Sequence, residues 1–524
     1  MTTPTTIGHE PDGPAGALRR HLARLLLFAA SPEAGPARLG FLGAVLITAG
    51  GLGAGSTRLH DPLLESLHLS WLRFGHGLVL SSVLLWGGVA LMLIAWLGLG
   101  RRVVGRKAGA QESGAVSEYT MLATTGFWLL PLLLSVPVFS RDTYSYLAQG
   151  ALLRDGLDPY LVGPIDNPNS LLDNVSPIWT TTTAPYGPAF ILVAKFVTMV
   201  VGNHVVEGTM LLRLCMLPGL ALLIWAAPRV ARHVGANGAV ALWICVLNPL
   251  VIIHLMGGVH NEMLMVGLMM AAIALTFGGR PVWGVSLIAI AVAVKATAGI
   301  ALPFMVWVWT RQLRSRHGYG PVKAFTVATA ASAAIFVAVF AVLSWLAGVG
   351  LGWLTALAGS VKIINWLTIP TATANIVNTV GGLFIPINFY AVLDITRIAG
   401  VAVIAIALPL LWWRFRHDDR EALTGIALAM LVVVLFVPAA LPWYYTWPLA
   451  VVSALAQSRA AIALIAGFST WIMVIFKPDG SHGMYSWIHV ALATACAVGA
   501  WRLLATTPED REPEISTPSP EPAG

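Results

Sequence analysis

Residues 119–160 read YTMLATTGFWLLPLLLSVPVFSRDTYSYLAQGALLRDGLDPY, and the fold turns on the point where this stretch changes character. Its first half, Tyr119 to Phe139, is an uncharged apolar run long enough to cross a bilayer. Its second half, Ser140 to Tyr160, is polar and carries Arg141, Asp142, Arg154, Asp155 and Asp158. At helical spacing Tyr144, Leu147, Ala148, Ala151 and Leu152 fall on one face, and Asp142, Tyr146 and Gln149 on the other. That pattern suits a short helix lying on a membrane surface, with a carboxylate held just above the hydrocarbon. It equally suits an amphipathic connector whose Asp142 caps the helix, and the two roles can coexist.

The rest of the chain fits a membrane reading. Hydrophobic residues make up 57% of the 524 positions and charged residues 10%, a balance that a water-soluble globule of this size could not sustain. The expectation is an all-α integral membrane protein, a bundle of about fourteen spans (13–15), with short amphipathic helices in its outer loops. Candidate spans include Leu39 to Gly55, Gly77 to Gly100, Glu207 to Ala227, Ala324 to Ala347 and Met484 to Leu504, with a shorter pair on either side of Lys295. Tyr186 to Val201 and Val380 to Leu393 are near the lower length limit and are broken by Gly or Pro, so both are expected to re-enter or lie at the interface. Cys215, Cys245 and Cys496 sit in apolar runs without CxxC or Cys/His spacing, so they read as small buried hydrophobes. The Thr/Pro/Gly-rich start carries Glu10 and Asp12, unlike a cleaved signal, and the first span is expected to serve for targeting.

A net charge of +7 would suggest nucleic acid in a soluble chain; here the placement of the cations is what matters, and no nucleic-acid partner is expected. With the N-terminus in the cytoplasm, 21 of the 31 Lys and Arg residues fall inside, among them Arg101, Arg102, Arg106, Lys107, Arg311 and Arg511. Six fall outside (Arg58, Arg73, Arg141, Arg154, Lys362, Lys477), and four (Lys195, Arg213, Lys295, Arg397) lie in or at the edges of apolar segments. This orientation gives a cytoplasmic segment over 1–36, a membrane domain over 37–505 with an outer loop at 139–186, and a disordered cytoplasmic tail over 506–524.

The polar clusters then collect outside. They are Arg141-Asp142, Gly257-Gly258-Val259-His260-Asn261-Glu262, Lys362 with Asn365 and Trp366, Leu441-Pro442-Trp443-Tyr444-Tyr445 and Lys477-Pro478-Asp479-Gly480-Ser481-His482. Each has a plainer reading: the aromatics as an interfacial belt, Asn261 and Glu262 as a helix start. Lys295 is harder to dismiss, because a lysine in an apolar segment needs an anion or water. Lys195 and Arg213 share that argument, although either stem can reach an interface. Transfer of a sugar from a lipid phosphate would use such parts. It needs a cation where negative charge builds on the departing phosphate, a carboxylate base on the acceptor hydroxyl, and aromatic groups for the sugar. Asp142 fits the base, Lys295, Arg141 and Lys477 the phosphate, and the Trp-Tyr cluster the platform. There is no G-x-x-x-x-G-K-[ST] loop, so an activated sugar would arrive already on a lipid. No cofactor is expected, but Asp142, Asp155, Asp158 and Asp166 are close enough in sequence to leave a divalent metal open.

At SRDTYSYLAQGALLRDGLDPY, TTAPYGPAFILVAKF, CVLNPLVIIHLMGGVHNEMLMVGLM and PAALPWYYTWPLA the chain resembles the polyprenol-phosphate-mannose-dependent α-(1→6)-mannosyltransferases of mycobacteria and relatives, of the GT-C fold class. The resemblance runs from about Pro36 to Trp501 and is closer to members that extend the distal mannan backbone than to those that start it. It implies a polyprenyl-phosphate mannose donor, a lipomannan-type glycan acceptor, a plasma-membrane location with the site on the periplasmic side, and a catalytic base matching Asp142. Around that base, the expected substrate-binding residues are Arg141, Tyr144, Tyr146, Tyr186, His260, Asn261, Glu262, Lys295, Trp443, Tyr444, Tyr445, Lys477 and His482. The chain ends about twenty residues after its last expected span, so acceptor binding is expected from loops between helices rather than from a separate outer domain. A lipid-linked sugar transporter or flippase is the rival class; it would use buried cations and broken helices too, but tends to show internal repeats, and none is evident.

Overall fold

A computed structural model describes residues 14–104, 117–357 and 362–506. The expected tail, the first residues of the N-terminal segment, and Arg106, Lys107 and Arg511 lie outside the described residues. In chain order the main helices are α1 (Pro14–Ala30), α2 (Gly35–Ala54), α3 (Gly75–Val104), α4 (Glu118–Leu132), α5 (Asp142–Arg154), α6 (Pro188–Val201), α7 (Val205–His233), α8 (Gly238–Cys245) and α9 (Glu262–Phe277). They continue as α10 (Pro281–Val294), α11 (Leu302–His317), α12 (Pro321–Ala347), α13 (Phe389–Arg414), α14 (Asp419–Phe436), α15 (Thr446–Val452), α16 (Arg459–Ile475) and α17 (Trp487–Ala505).

The molecule is a multispanning membrane helix bundle. Among the described residues six helices are long and apolar enough to cross a bilayer, namely α2 with the turn before it, α3, α7, α12, α13 and α17; the count is seven if the bent pair formed by α8 and Pro249–Gly257 is one span. Unbroken spans are thus fewer than the fourteen crossings expected. The reason is visible in α6, α9, α10 and α16, apolar helices too short to span unaided. Three of them end or begin at the polar groups described below.

The interior is built on close helix contacts. In α7 and α9, Gly219 and Gly267 face each other so closely that a Cβ on either would strike the other helix's backbone, the packing that small residues permit where lipid gives no hydrophobic drive. Trp96 of α3 and Trp243 of α8 stack at 4.9 Å and each donates its indole N–H to the other's carbonyl, at 3.0 and 2.9 Å. Two of the largest apolar side chains thereby bury their polar atoms satisfied.

Two sequence expectations are corrected here. The apolar run Tyr119–Phe139 is helical only to Leu132; Pro131 and Pro137 interrupt it, and Phe139 turns the chain with φ 69°. The helix after it does not lie on a surface. Every residue of α5 from Thr143 to Leu153 is buried, because loop 155–187 folds over one side and α6 packs on the other, where Gly150 leaves no room for a Cβ beside the Ala194 backbone. Of the stretch Val380 to Leu393, residues 382–388 form a turn between the π-helical segment Val377–Gly381 and α13.

Candidate active site

Two irregular segments carry the acidic groups, and each is pinned by its backbone. Phe139, in the left-handed region, donates its N–H to the Pro478 carbonyl at 2.7 Å; Ser140 Oγ accepts the Asp142 N–H at 3.0 Å. Asp142 thus opens α5 with its side chain 13% exposed. The second segment is Gly257 to Glu262. Val259 has φ 58° there, an outlying conformation for a β-branched residue, of the kind that persists where surrounding contacts over-determine it. Those contacts are present: Arg213 donates to the carbonyls of Met256, Gly257 and Leu133 at 3.0, 3.1 and 2.8 Å, and Thr143 Oγ1 donates to the Gly258 carbonyl at 3.0 Å. Arg213 is fully buried and does not reach an interface; its guanidinium clamps the turn that presents His260.

His260, Asn261 and Glu262 are fully buried. His260 Nδ1 lies 3.7 Å from Asp142 Oδ2, 4.0 Å from Glu262 Oε2 and 3.5 Å from the Tyr146 hydroxyl, and the ring stacks on Trp443 at 3.8 Å. Glu262 Oε1 pairs with Lys295 Nζ. Lys295 ends α10 in an extended conformation, and its ammonium sits 4.4, 5.3 and 5.9 Å from the ring centres of Tyr444, Trp447 and Tyr186, a cation–π cage. Tyr186 and Tyr146 meet edge to face at 5.3 Å. One connected group therefore runs Asp142, His260, Glu262, Lys295.

Its two ends open on the same cavity of about 430 Å³, within the range of small-molecule sites. Asp142, Lys295, Tyr186, Tyr444 and Trp447 line it, with Ser145, Gln149, Trp179 and Thr182 along the α5 side and Leu357, Val437, Pro438, Ala439 and Leu441 as an apolar wall. Ser145 Oγ, Gln149 Oε1, Thr297 Oγ1 and Trp447 Nε1 on this lining are buried without a hydrogen-bond partner. Such atoms are uncommon in native interiors and point to a missing polar guest. At the rim, Lys362 Nζ donates to Thr182 Oγ1 at 2.9 Å. Burial, and secondarily Glu262, push the Asp142 carboxyl up from 3.8 to about 6, against the opposing pull of Lys295 and hydrogen bonds from Ser140 and Trp179.

The residues singled out in the sequence divide. Asp142, Tyr146, Tyr186, His260, Asn261, Glu262, Lys295, Trp443 and Tyr444 come together at or directly behind the cavity. Arg141 does not line it; its guanidinium is held by the carbonyls of Asn174 and Thr57 at 2.9 Å each and covers Tyr144, whose hydroxyl donates to the Ser56 carbonyl. The Tyr445 hydroxyl donates to the Leu367 carbonyl. Lys477 and His482 belong to a small turn closed by the Phe476–His482 bridge, off the lining. The four aspartates of the loop disperse: Asp155 pairs with Arg154, while Asp158 and Asp166 accept backbone N–H groups of Tyr160 and Gly163. Among the described residues no three His, Cys, Asp or Glu side chains gather as a metal site.

Comparison with known proteins follows the same outline. A family model described as alpha-(1→6)-mannopyranosyltransferase, N-terminal domain, matches residues 37–311, and one described as the MptB C-terminal domain matches residues 370–506. Alpha-(1→6)-mannopyranosyltransferase A of Mycobacterium tuberculosis is 70% identical over 522 residues, covering 99% of both chains. The A protein of Corynebacterium glutamicum is 36% identical, covering 91% of this chain and 99% of its own length. The B protein of the same organism is 29% identical, covering 84% and 76%.

Proposed function

The chain belongs to the alpha-(1→6)-mannopyranosyltransferase family, and from that membership we propose that it takes mannose from a polyprenyl phosphate and adds it to O6 of a mannan chain, elongating the backbone of lipomannan and lipoarabinomannan. The active face is the periplasmic one, a reading that rests on the inward bias of the cations. Higher identity to A-type than to B-type relatives supports the distal part of the backbone as its product.

The observation that carries the reading is that Asp142 and Lys295 line one cavity, polar along α5 and walled on another side by Leu357, Val437, Pro438, Ala439 and Leu441. The prenyl chain lies along Leu357, Val437 and Leu441, and the mannose meets Gln149, Trp179 and Tyr186. Lys295 faces the phosphate. Asp142 takes the proton of the acceptor hydroxyl as its oxygen forms a bond to C1; the C1–O bond to phosphate breaks, and its electron pair stays on the phosphate oxygen. Lys295 meets the charge that grows there, the term that usually contributes most in such transfers. Arg141 and Lys477 have no part in this arrangement; Arg141 holds two outer loops together through the carbonyls of Thr57 and Asn174.

Purified protein given polyprenyl-phosphomannose and a short synthetic α-(1→6)-linked mannoside in detergent, where transport cannot be scored, should lengthen the acceptor by one mannose. Full transfer by the Asp142→Asn variant would remove Asp142 as the base.

A further inference from the structure

His260 is a buried imidazole that the transfer step leaves unused. It faces Asp142 and Tyr146 of α5, Glu262 at the start of α9, and Trp443; His254 and Lys295 contribute charge from slightly farther away. Its Nε2 and the Glu262 Oε2 are both buried without a hydrogen bond. In the unliganded site the fixed charges are two carboxylates, Asp142 and Glu262, and one ammonium, Lys295. Burial, with His254 and Lys295 acting in the same sense, holds the imidazole neutral by pushing it well below its ordinary value.

An incoming phosphodiester adds a further negative charge to this buried group, and Lys295 cannot fully serve both it and Glu262. Resting on the reading of Asp142 as base, we propose that His260 couples the two halves of the site. When Lys295 turns from Glu262 to a phosphate oxygen of the donor, His260 takes up a proton between Glu262 and Asp142, and the imidazolium keeps Asp142 ionised beside the arriving anion. No bond other than N–H is made in this step; the proton comes from solvent and returns to it when the lipid phosphate leaves and Lys295 goes back to Glu262. His260 touches no substrate and acts as a positioning residue through Asp142.

A short-chain prenyl phosphomannose is the probe, because its phosphodiester does not titrate near neutrality. Calorimetric binding of this donor at pH 6.5 to 7, without acceptor, in buffers of differing ionisation enthalpy, should give uptake of up to about one proton per donor in the wild type and close to none in His260→Gln. The acid limb of kcat, which reports the donor-bound enzyme, should lie below that of kcat/KM, which reports the free enzyme. In His260→Gln the separation should vanish or reverse while the donor KM changes less than kcat. No proton uptake in the wild type, or the same uptake in His260→Gln, overturns the coupling and leaves the base assignment standing. If Asp142→Asn retains transfer, it is the base assignment that fails, and the proton count still reads the coupling of donor to His260.

Discussion

The two ends of α9 hold similar kinds of side chain in opposite circumstances. At its N-terminal end Glu262, His260, Lys295 and Asp142 are buried, and several polar atoms around them lack partners. Fifteen residues on, about 22 Å along the axis, Phe277 stacks on His233, which pairs with Asp419, which in turn pairs with Arg311. His417 and Arg414 share Glu421 nearby, and Arg420 donates to the Val234 carbonyl and to Gln457. Each of these charged groups has a partner and a face to water. A satisfied, hydrated ion network contributes little and asks for no ligand, whereas buried polarity left open is costly unless a guest completes it. The contrast, rather than the number of charged residues, locates the site.

Substitutions can break this comparison or sharpen it, and the largest effect belongs to Asp142. Asp142→Asn should lower transfer by roughly 10³-fold without lowering the melting temperature. The sign follows from the raised carboxyl: below 3.8 the group is neutral folded and unfolded, and between 3.8 and about 6 the unfolded chain ionises first, so the folded state loses stability as pH rises through that window. Above pH 6 the asparagine variant should therefore melt at the same or a higher temperature than the wild type. The wild-type kcat/KM should rise with pH through about 6, where the base ionises. A variant that loses activity together with stability would point to a structural aspartate.

Lys295 should act in both respects. Lys295→Met should lower transfer roughly 100-fold and also destabilise by about 3–5 kcal/mol, because it leaves the fully buried Glu262 without its counter-ion. Adding Glu262→Gln should return most of the lost stability, read by thermal melting, and none of the activity. Restored transfer in the double variant would contradict the role given to the ammonium.

Trp447→Phe keeps a ring under Lys295 but removes an indole N–H that has no protein partner. The donor KM should rise roughly fivefold to tenfold, with the melting temperature unchanged, since no protein hydrogen bond is lost. The smallest effect is expected at the other end of α9. Asp419→Asn breaks two ion pairs yet should leave transfer within about twofold and stability within about 1 kcal/mol. A large loss of transfer there would join the two ends functionally and dissolve the contrast.

How much of this was legible in the sequence depended on the kind of signal. A lysine inside an apolar run and a carboxylate just past one announce themselves, because the membrane makes each conspicuous; Lys295, Asp142 and the His260-Asn261-Glu262 turn were accessible in this way. The burial of α5 was not. Its two-faced pattern is also that of an interfacial helix, and only the fold of loop 155–187 over it, together with the contact at Gly150, decides between them. Arg141 and Lys477 were drawn in by charge alone, yet Arg141 spends its donors on backbone carbonyls, a partner that leaves no trace in side-chain spacing. Thr297 and Trp447 are single polar or aromatic residues in apolar segments and Ser145 is one of several polar residues of α5; what marks all three is the absence of a partner, a property of packing. Gln149 shared the helical face of Asp142 and Tyr146, which was the available clue. Arg213 was visible as a cation in a span, but its service to the carbonyls of Met256 and Gly257 required the bend of the α8 pair to be known.

The central claim is that the departing lipid phosphate is received at Lys295 in the cavity that Asp142 also lines. A structure of the protein with a non-transferable prenyl phosphomannose bound tests it most directly. The account predicts a phosphate oxygen about 3 Å from Lys295 Nζ, with the anomeric carbon between it and the Asp142 carboxylate and the prenyl chain against Leu357 and Val437. A phosphate held instead by Arg141 or Lys477, with Lys295 still paired to Glu262, would contradict it.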